Sequence, residues 1–325
     1  MSTGIGTGLR TTFIIVSLGA GLFVTIATVA AFFGSSWWLF DWFANFRWQL
    51  MWFAVAASAV YALTSKGLMT VVFLAAAIVN GFLISPLWLG SQPAGSDSPG
   101  VDVVAVDMYG GATDSDRTVT WLYDTDADVI IAAGVGSDRL DALLVEGSDY
   151  RFLYKPPEGE AGVAIVAKDD YATTQSATDS PGGPVLTVAV PSGSGTIDIV
   201  TGWGLLATSS GNYEALNERL ASISAVVQTS ENETMVIGSL GATRFTHGMR
   251  SLMADADLRD ATEGKGYLST WPVSGFPLIG GWIGAPVDIV LMSSGVTPYS
   301  LETGPDIGVG HLPVRVTVGD IVGRN

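Results

Sequence analysis

Charge is distributed so unevenly along this chain that a single ordinary soluble domain is excluded. Residues 1–90 carry only Arg10, Asp41, Arg47 and Lys66, a net of +2, whereas residues 91–325 carry thirty acids against twelve bases, a net of −18. A nearly uncharged apolar segment needs a partner phase, and about 20 mostly apolar residues suffice to cross a bilayer as a helix. Three apolar runs meet that length, roughly 12–33, 47–64 and 67–89, so the expectation is three transmembrane helices in a membrane domain spanning 1–90. The first run is too long for the apolar region of a signal peptide, and two more follow it. Gly19, Ala20, Gly21, Ala27 and Ala30 offer small side chains for close helix approach.

Six of the ten tryptophans, Trp37, Trp38, Trp42, Trp48, Trp52 and Trp88, fall at the first connection or at the end of the third run. An up-down-up arrangement collects them at one membrane–water interface, where amphipathic indoles anchor. A second reading makes them a surface for another membrane protein or a pigment. The positive-inside tendency places Arg10 and Lys66 in the cytoplasm. The C-terminal domain then lies on the periplasmic or other extracytoplasmic side of a bacterial inner membrane.

Residues 91–100 are a polar, Gly/Pro/Ser-rich linker. The domain from 101 to 325 is long enough for its own core. β-rich runs recur at Val101–Asp107, Asp128–Ala132, Val163–Ala167, Val185–Val190, Thr196–Thr201, Met235–Ile237, Val287–Met292 and Val314–Val318. A helical period runs through Tyr213–Gln228 with Leu216, Leu220, Ile223 and Val227 on one face, and a shorter helix follows at His247–Met253. Strands with interleaved helices predict an α/β sandwich. The acidity disfavours nucleic acid, whose binding draws on a basic surface, and it disfavours an anionic ligand. Absence of cysteine removes disulfides, thiolate nucleophiles and Cys-ligated zinc.

From 235 onward the motifs have a recognisable order. Gly238-Ser-Leu-Gly-Ala-Thr, Met249-Arg-Ser-Leu, Asp257-Leu-Arg-Asp-Ala, Gly264-Lys-Gly-Tyr-Leu-Ser-Thr-Trp-Pro, Ala285-Pro-Val-Asp-Ile-Val-Leu and Gly308-Val-Gly-His-Leu-Pro-Val resemble, in order and spacing, the signatures of the endonuclease/exonuclease/phosphatase superfamily. Those read G-D-F-N-A-T, R-x-L, G-L-x-D-A, G-x-G-x-x-x-T-W-P, P-I-D-H-V-L and G-S-D-H-x-P-V. Asp126-Ala-Asp-Val-Ile-Ile is similar to the run that leads to the family's metal-binding glutamate. The resemblance implies a four-layer α/β sandwich of two packed sheets flanked by helices, and a bacterial branch of the family carries three N-terminal spans.

The chemical positions depart from that pattern. Gly134 closes the run where the metal-binding glutamate is expected, Ser239 and Gly241 replace the aspartate and asparagine of G-D-F-N, and Asp107 replaces an asparagine. Ile289 stands for the histidine of P-I-D-H, Gly310 for the aspartate of S-D-H, and Gly202-Trp203-Gly204 follow the strand where another histidine is expected. Asp288 and His311, the family's carboxylate–histidine pair, remain. Phosphodiester hydrolysis of this type needs a hard cation held by carboxylates and a base for the water. Losses of this kind each cost roughly 10²–10⁴ in rate, which implies a pseudoenzyme with no resident metal or cofactor.

The resulting expectation is a non-catalytic accessory subunit docked on a larger membrane complex, respiratory or photosynthetic complexes being examples. Its partners are integral membrane proteins and the bilayer, and its contact surfaces are the six tryptophans with Phe276 and Trp282 of the apolar loop Pro272–Pro286. Two alternatives stand beside it: a phosphodiesterase or phosphatase with a remodelled site, and a binding module that uses the vacant cleft. His247 reads as a solvated or capping histidine.

Overall fold

The computed structural model describes residues 3–64, 67–92, 98–109, 115–169, 171, 174–271 and 280–319. Phe276 and most of the loop Pro272–Pro286 lie outside them, as does Lys66.

The apolar segment forms helices α1 (Thr3–Ala30), α2 (Trp38–Ala44), α3 (Arg47–Thr64), α4 (Leu68–Ile84) and α5 (Pro86–Leu89), with a 3₁₀ turn Ala31–Ser36 between the first two. Helices α1, α3 and α4 pack on one another around Val24, Ala27, Leu50, Ala54, Ala76 and Ala77. Of the small residues, Gly21 faces the Phe73 ring so closely that no side chain fits, and Ala27 and Ala30 are buried. Gly19 and Ala20 face outward instead.

Two stretches, Thr11–Ser36 and Leu68–Leu89, are long and apolar enough to cross a membrane. Of the three expected spans, α3 falls short of that measure. Helix α3 opens with Arg47 and Gln49, and these polar side chains, although buried, dilute its apolar character. The Arg47 guanidinium donates to the Thr28 carbonyl at 3.1 Å and to Asn80 Oδ1 at 3.2 Å, and Asn80 donates to Thr28 Oγ1 at 2.8 Å. Burial of these groups is tolerable because they bond to one another.

Twelve strands follow: β1 (Pro99–Asp107), β2 (Val129–Val135), β3 (Tyr150–Tyr154), β4 (Gly162–Lys168), β5 (Thr174–Thr178), β6 (Val185–Ser192), β7 (Gly195–Thr201), β8 (Glu233–Ser239), β9 (Arg259–Asp260), β10 (Asp288–Met292), β11 (Pro298–Thr303) and β12 (Val314–Gly319). Helices α6 (Ser115–Asp124), α7 (Ser137–Leu140), α8 (Ser210–Thr229), α9 (His247–Asp255) and α10 (Gly280–Ile283) complete the chain. The strands form two six-stranded sheets, ordered β11-β12-β1-β2-β4-β3 and β5-β6-β7-β8-β10-β9. Each is mixed, with one parallel pair, β1–β2 and β7–β8.

Strands buried on both faces read as continuous apolar runs, as β2 does over Val129–Val135. Val103, Ile131, Ile165, Val188, Ile199 and Ile237 fill the space between the sheets. Leu122 of α6 packs on the outer face of the first sheet, and Leu216, Leu220 and Ile223 of α8 with Met249 of α9 cover the second. The expected order of helix layer, two sheets and helix layer is present.

The bundle is fastened to this sandwich. Ala31, Ala44, Ile84 and Leu87 share one apolar cluster with Phe245. Asp41 Oδ1 accepts from the His247 amide at 2.6 Å, Asn45 Oδ1 from the Thr243 amide at 2.8 Å, and the Gln49 amide donates to the carbonyls of Ile283 and Gly284 at 2.8 and 2.6 Å. Asp41 thus caps the first turn of α9 from another part of the chain, where helix geometry leaves amides without acceptors. Trp48 stacks on Trp88 and on Tyr267 at 5.3 and 5.1 Å.

Candidate functional site

The chemistry-bearing residues converge where the two sheets end. Asp107 closes β1, Gly134 lies in β2 beside it, Ser239 closes β8, and Asp288 opens β10 directly opposite Ser239 in the ladder. His311, on the segment that leads into β12, reaches between the two carboxylates. Its Nδ1 lies 2.8 Å from Asp288 Oδ2 and its Nε2 lies 3.9 Å from Asp107 Oδ2. All three residues are buried. A cavity of about 400 Å³ opens over Asp107 and His311, lined also by Tyr109, Leu205, Gly241, Trp271 and Gly310. Ile289 points the other way, into the cluster beneath α8 and α9, so the residue standing for the family's second histidine is a core residue.

Electrostatics within the trio are set by burial and pairing. Burial disfavours a charged imidazole, yet Asp288, by charge and hydrogen bond, and Asp107 outweigh it and hold the His311 pKa above its ordinary value. Burial raises the Asp107 pKa; His311 opposes this, Asp288 adds to it, and hydrogen bonds from the Tyr109 amide and Ser239 oppose it. The pairing favours the protonated form of His311 more than in a free imidazole, and burial favours the neutral form of Asp107.

Sequence reasoning missed Trp203. Its indole N–H donates to Asp107 Oδ2 at 3.0 Å, and its ring packs on Tyr109 at 5.3 Å. It stands where a histidine was expected, and a neutral donor has taken over one oxygen of the carboxylate. The Tyr109 amide takes the other, Oδ1, at 2.8 Å.

The glycines at the emptied positions are not merely small. Gly134 has φ +65°, and a Cβ there would lie 2.6 Å from Tyr109 Cβ, 2.7 Å from Asp107 Oδ1 and 2.8 Å from the Tyr109 amide nitrogen. Gly241 has φ +75°, and its Cβ would run into the carbonyls of Leu205 and Gly204. Left-handed backbone is open to glycine and strained for other residues. Tyr109 and Asp107 therefore crowd the first position, and main chain of Gly204 and Leu205 fills the second.

A divalent cation of the kind this fold employs was tested against the donors present. One ligand atom from each of Asp107, Asp288 and His311 lies within 4.8 Å of the others. Mg²⁺, however, requires near-octahedral oxygen coordination, and both oxygens of Asp107 accept N–H donors while Asp288 is engaged by His311. The set does not fit the ion, and no step is derived through one.

The other sequence-predicted residues lie elsewhere. Trp37, Trp52, Trp88 and Trp282 are exposed and Trp38, Trp42 and Trp48 half-buried. Trp48 touches both Trp52 and Trp88, so the tryptophans gather at the bundle's domain-facing end. His247 contributes its amide to the contact with Asp41 and makes no part of the cleft.

No protein-family model and no curated relative matches the sequence. Solved structures do. An endonuclease/exonuclease/phosphatase from Bacteroides vulgatus aligns at TM-score 0.54 and 12% identity, over 68% of this chain and 99% of its own. A humanized D. rerio TDP2 aligns at TM-score 0.52 and 13% identity, over 68% and 99%. A 3'-5' exonuclease from Neisseria meningitidis aligns at TM-score 0.52 and 11% identity, over 67% and 100%. At such identities the likeness establishes architecture alone: the C-terminal domain has the endonuclease/exonuclease/phosphatase fold.

Proposed function

We propose that the chain is a membrane-anchored, non-catalytic subunit that docks through its helices and outer domain on a larger membrane protein complex. The observation carrying this reading is the close packing at Gly134 and Gly241, where no side chain fits in place of the expected glutamate and asparagine. Lost ligands alone are compatible with a relocated site; close packing in their place is a stronger argument that the cleft serves as shape. Outward-facing Phe23, Ile26, Phe53, Ile78 and Phe82 give the bundle an apolar surface for lipid or for neighbouring helices. The bonds from Asp41, Asn45 and Gln49 to the sandwich support a fixed outer domain, which is what docking on two surfaces requires.

In this reading α3 crosses with α1 and α4, the Arg47 guanidinium bonded to Thr28 and Asn80 inside the bundle. The N-terminus then lies in the cytoplasm, with the sandwich beyond a bacterial inner membrane. Nucleic acid is not a partner, given the domain's net charge. Purification in mild detergent tests the proposal. Stable co-purification of other integral membrane proteins supports it. Isolation of a free monomer that turns over generic phosphodiesters with Mg²⁺ or Mn²⁺, and loses that turnover in Asp288→Ala, favours the remodelled enzyme instead.

A further inference from the structure

A second cavity, of about 300 Å³, lies behind Trp203 and is lined by the face of α8 that carries Asn212, Ala215 and Arg219. The spacing of three and four places these residues on one side of the helix. Arg219 is 7% exposed. Its Nη2 donates to the Gly182 carbonyl, while its Nε has no hydrogen-bond partner among the described residues. Burial brings its pKa down to about 10, and among the described residues no carboxylate opposes that shift. A buried guanidinium without a counter-charge costs several kcal/mol, which a paired anion largely returns.

The surroundings are built around this group. Gly204 packs against the guanidinium so closely that a Cβ would collide with it, and at Gly182 a Cβ would meet the Ala215 carbonyl and lie 2.8 Å from Arg219 Cβ. From the first turn of α8, a 20-residue helix capped by Ser209 with no acid in that turn, Asn212 lines the same cavity, its amide held by Ser209 Oγ at 3.2 Å. The positive dipole end of the helix favours an anion nearby. Glu160 stands at the exposed rim, outside the influence on Arg219 noted above.

We infer that this cavity is an anion site in which Arg219 binds a phosphate-type oxyanion. The site is local and positive within an acidic domain, and it adjoins the cleft over Asp107 and His311, sharing Gly204, Leu205 and Asn212 with it. Two sources share this chemistry, free phosphate and the phosphate of a lipid headgroup. The Tyr213 hydroxyl donates to the Gly34 carbonyl at 2.9 Å, so the first turns of α8 sit against the bundle.

The test uses the full chain in an uncharged detergent, titrated with inorganic phosphate and, at equal ionic strength, with chloride. The expected result is a saturable rise in melting temperature with phosphate alone. Arg219→Gln is expected to weaken the response about tenfold or more, because charge-assisted hydrogen bonds are lost. Because a buried arginine can be needed for folding, Ala215→Glu is a second probe: it installs a carboxylate one turn before Arg219 as an internal counter-ion. Its expected signature is a higher melting temperature without phosphate and a lost phosphate response. Identical effects of phosphate and chloride, or a full phosphate response in Ala215→Glu, overturn the assignment. In nanodiscs of phosphatidylglycerol, loss of the response to added phosphate identifies the lipid as source, and retention identifies free phosphate.

Discussion

Placing a methyl group at Gly134 measures how tightly its neighbours fill the position where the family resemblance expects a metal-binding glutamate. Gly134→Ala incurs two costs. The first is the left-handed backbone at φ +65°, worth roughly 1–2 kcal/mol for a residue with a Cβ. The second is steric, because the new Cβ would lie 2.6–2.8 Å from Tyr109 Cβ, Asp107 Oδ1 and the Tyr109 amide nitrogen. Overpacking of that kind costs typically about 1–3 kcal/mol. Gly147 is the internal control, since it has φ +83° with nothing within 4 Å of its Cβ position. Gly147→Ala should therefore show the backbone cost alone. For a domain of this size 1 kcal/mol corresponds to about 2–4 °C in melting temperature. Thermal unfolding of the full chain in detergent should place Gly134→Ala roughly 5–15 °C below wild type and Gly147→Ala only a few degrees below. Equal shifts, or a neutral Gly134→Ala, would refute the claim that neighbouring chain fills the position.

Three further outcomes are expected. The His311 pKa is raised in the folded state, so its contribution to stability is complete below about pH 6.5, the ordinary histidine value, and is lost as pH rises through the folded value. Melting temperature followed from pH 5.5 to 9 should fall in wild type and lose this component in His311→Gln; identical slopes would show that the His311 pairing contributes nothing. Asp41→Ala removes the cap supplied to α9 and should cost about 1 kcal/mol, read as faster amide exchange at His247–Arg250; unchanged exchange contradicts the capping role. The natural chain has no cysteine, so single cysteines at Ser2 and Ser91 report topology by labelling of intact cells with an impermeant maleimide. Labelling at Ser91 alone agrees with three crossings, whereas labelling at both or neither indicates two.

Much of the sandwich was legible because its central strands are buried on both faces and so read as apolar runs. Strands β3, β5, β9 and β11 escaped because they lie at sheet edges or pair weakly. Thr174–Thr178, for example, is an exposed edge with no apolar period, and its pairing with β6 is a tertiary fact. Helix α3 has the length of a crossing helix but falls short in apolarity, and the burial of Arg47 and Gln49 rests on contacts that no local pattern reveals. At the site, the losses at Gly134, Ser239 and Gly241 were readable from motif order, and the Asp288–His311 pair stands as inherited. The roles of Trp203 and Tyr109 were not readable, since a donor that replaces a metal leaves no spacing signature. Likewise Asp41, Asn45 and Gln49 looked like incidental polar residues in a tryptophan-rich segment, and only packing shows that they fasten bundle to sandwich.

Titration of Mn²⁺ into the full chain, monitored by calorimetry alongside the Asp107→Asn variant, bears most directly on the emptied site. The account predicts no saturable heat that distinguishes the two proteins. A stoichiometric Mn²⁺ site present in wild type and lost in Asp107→Asn would contradict it.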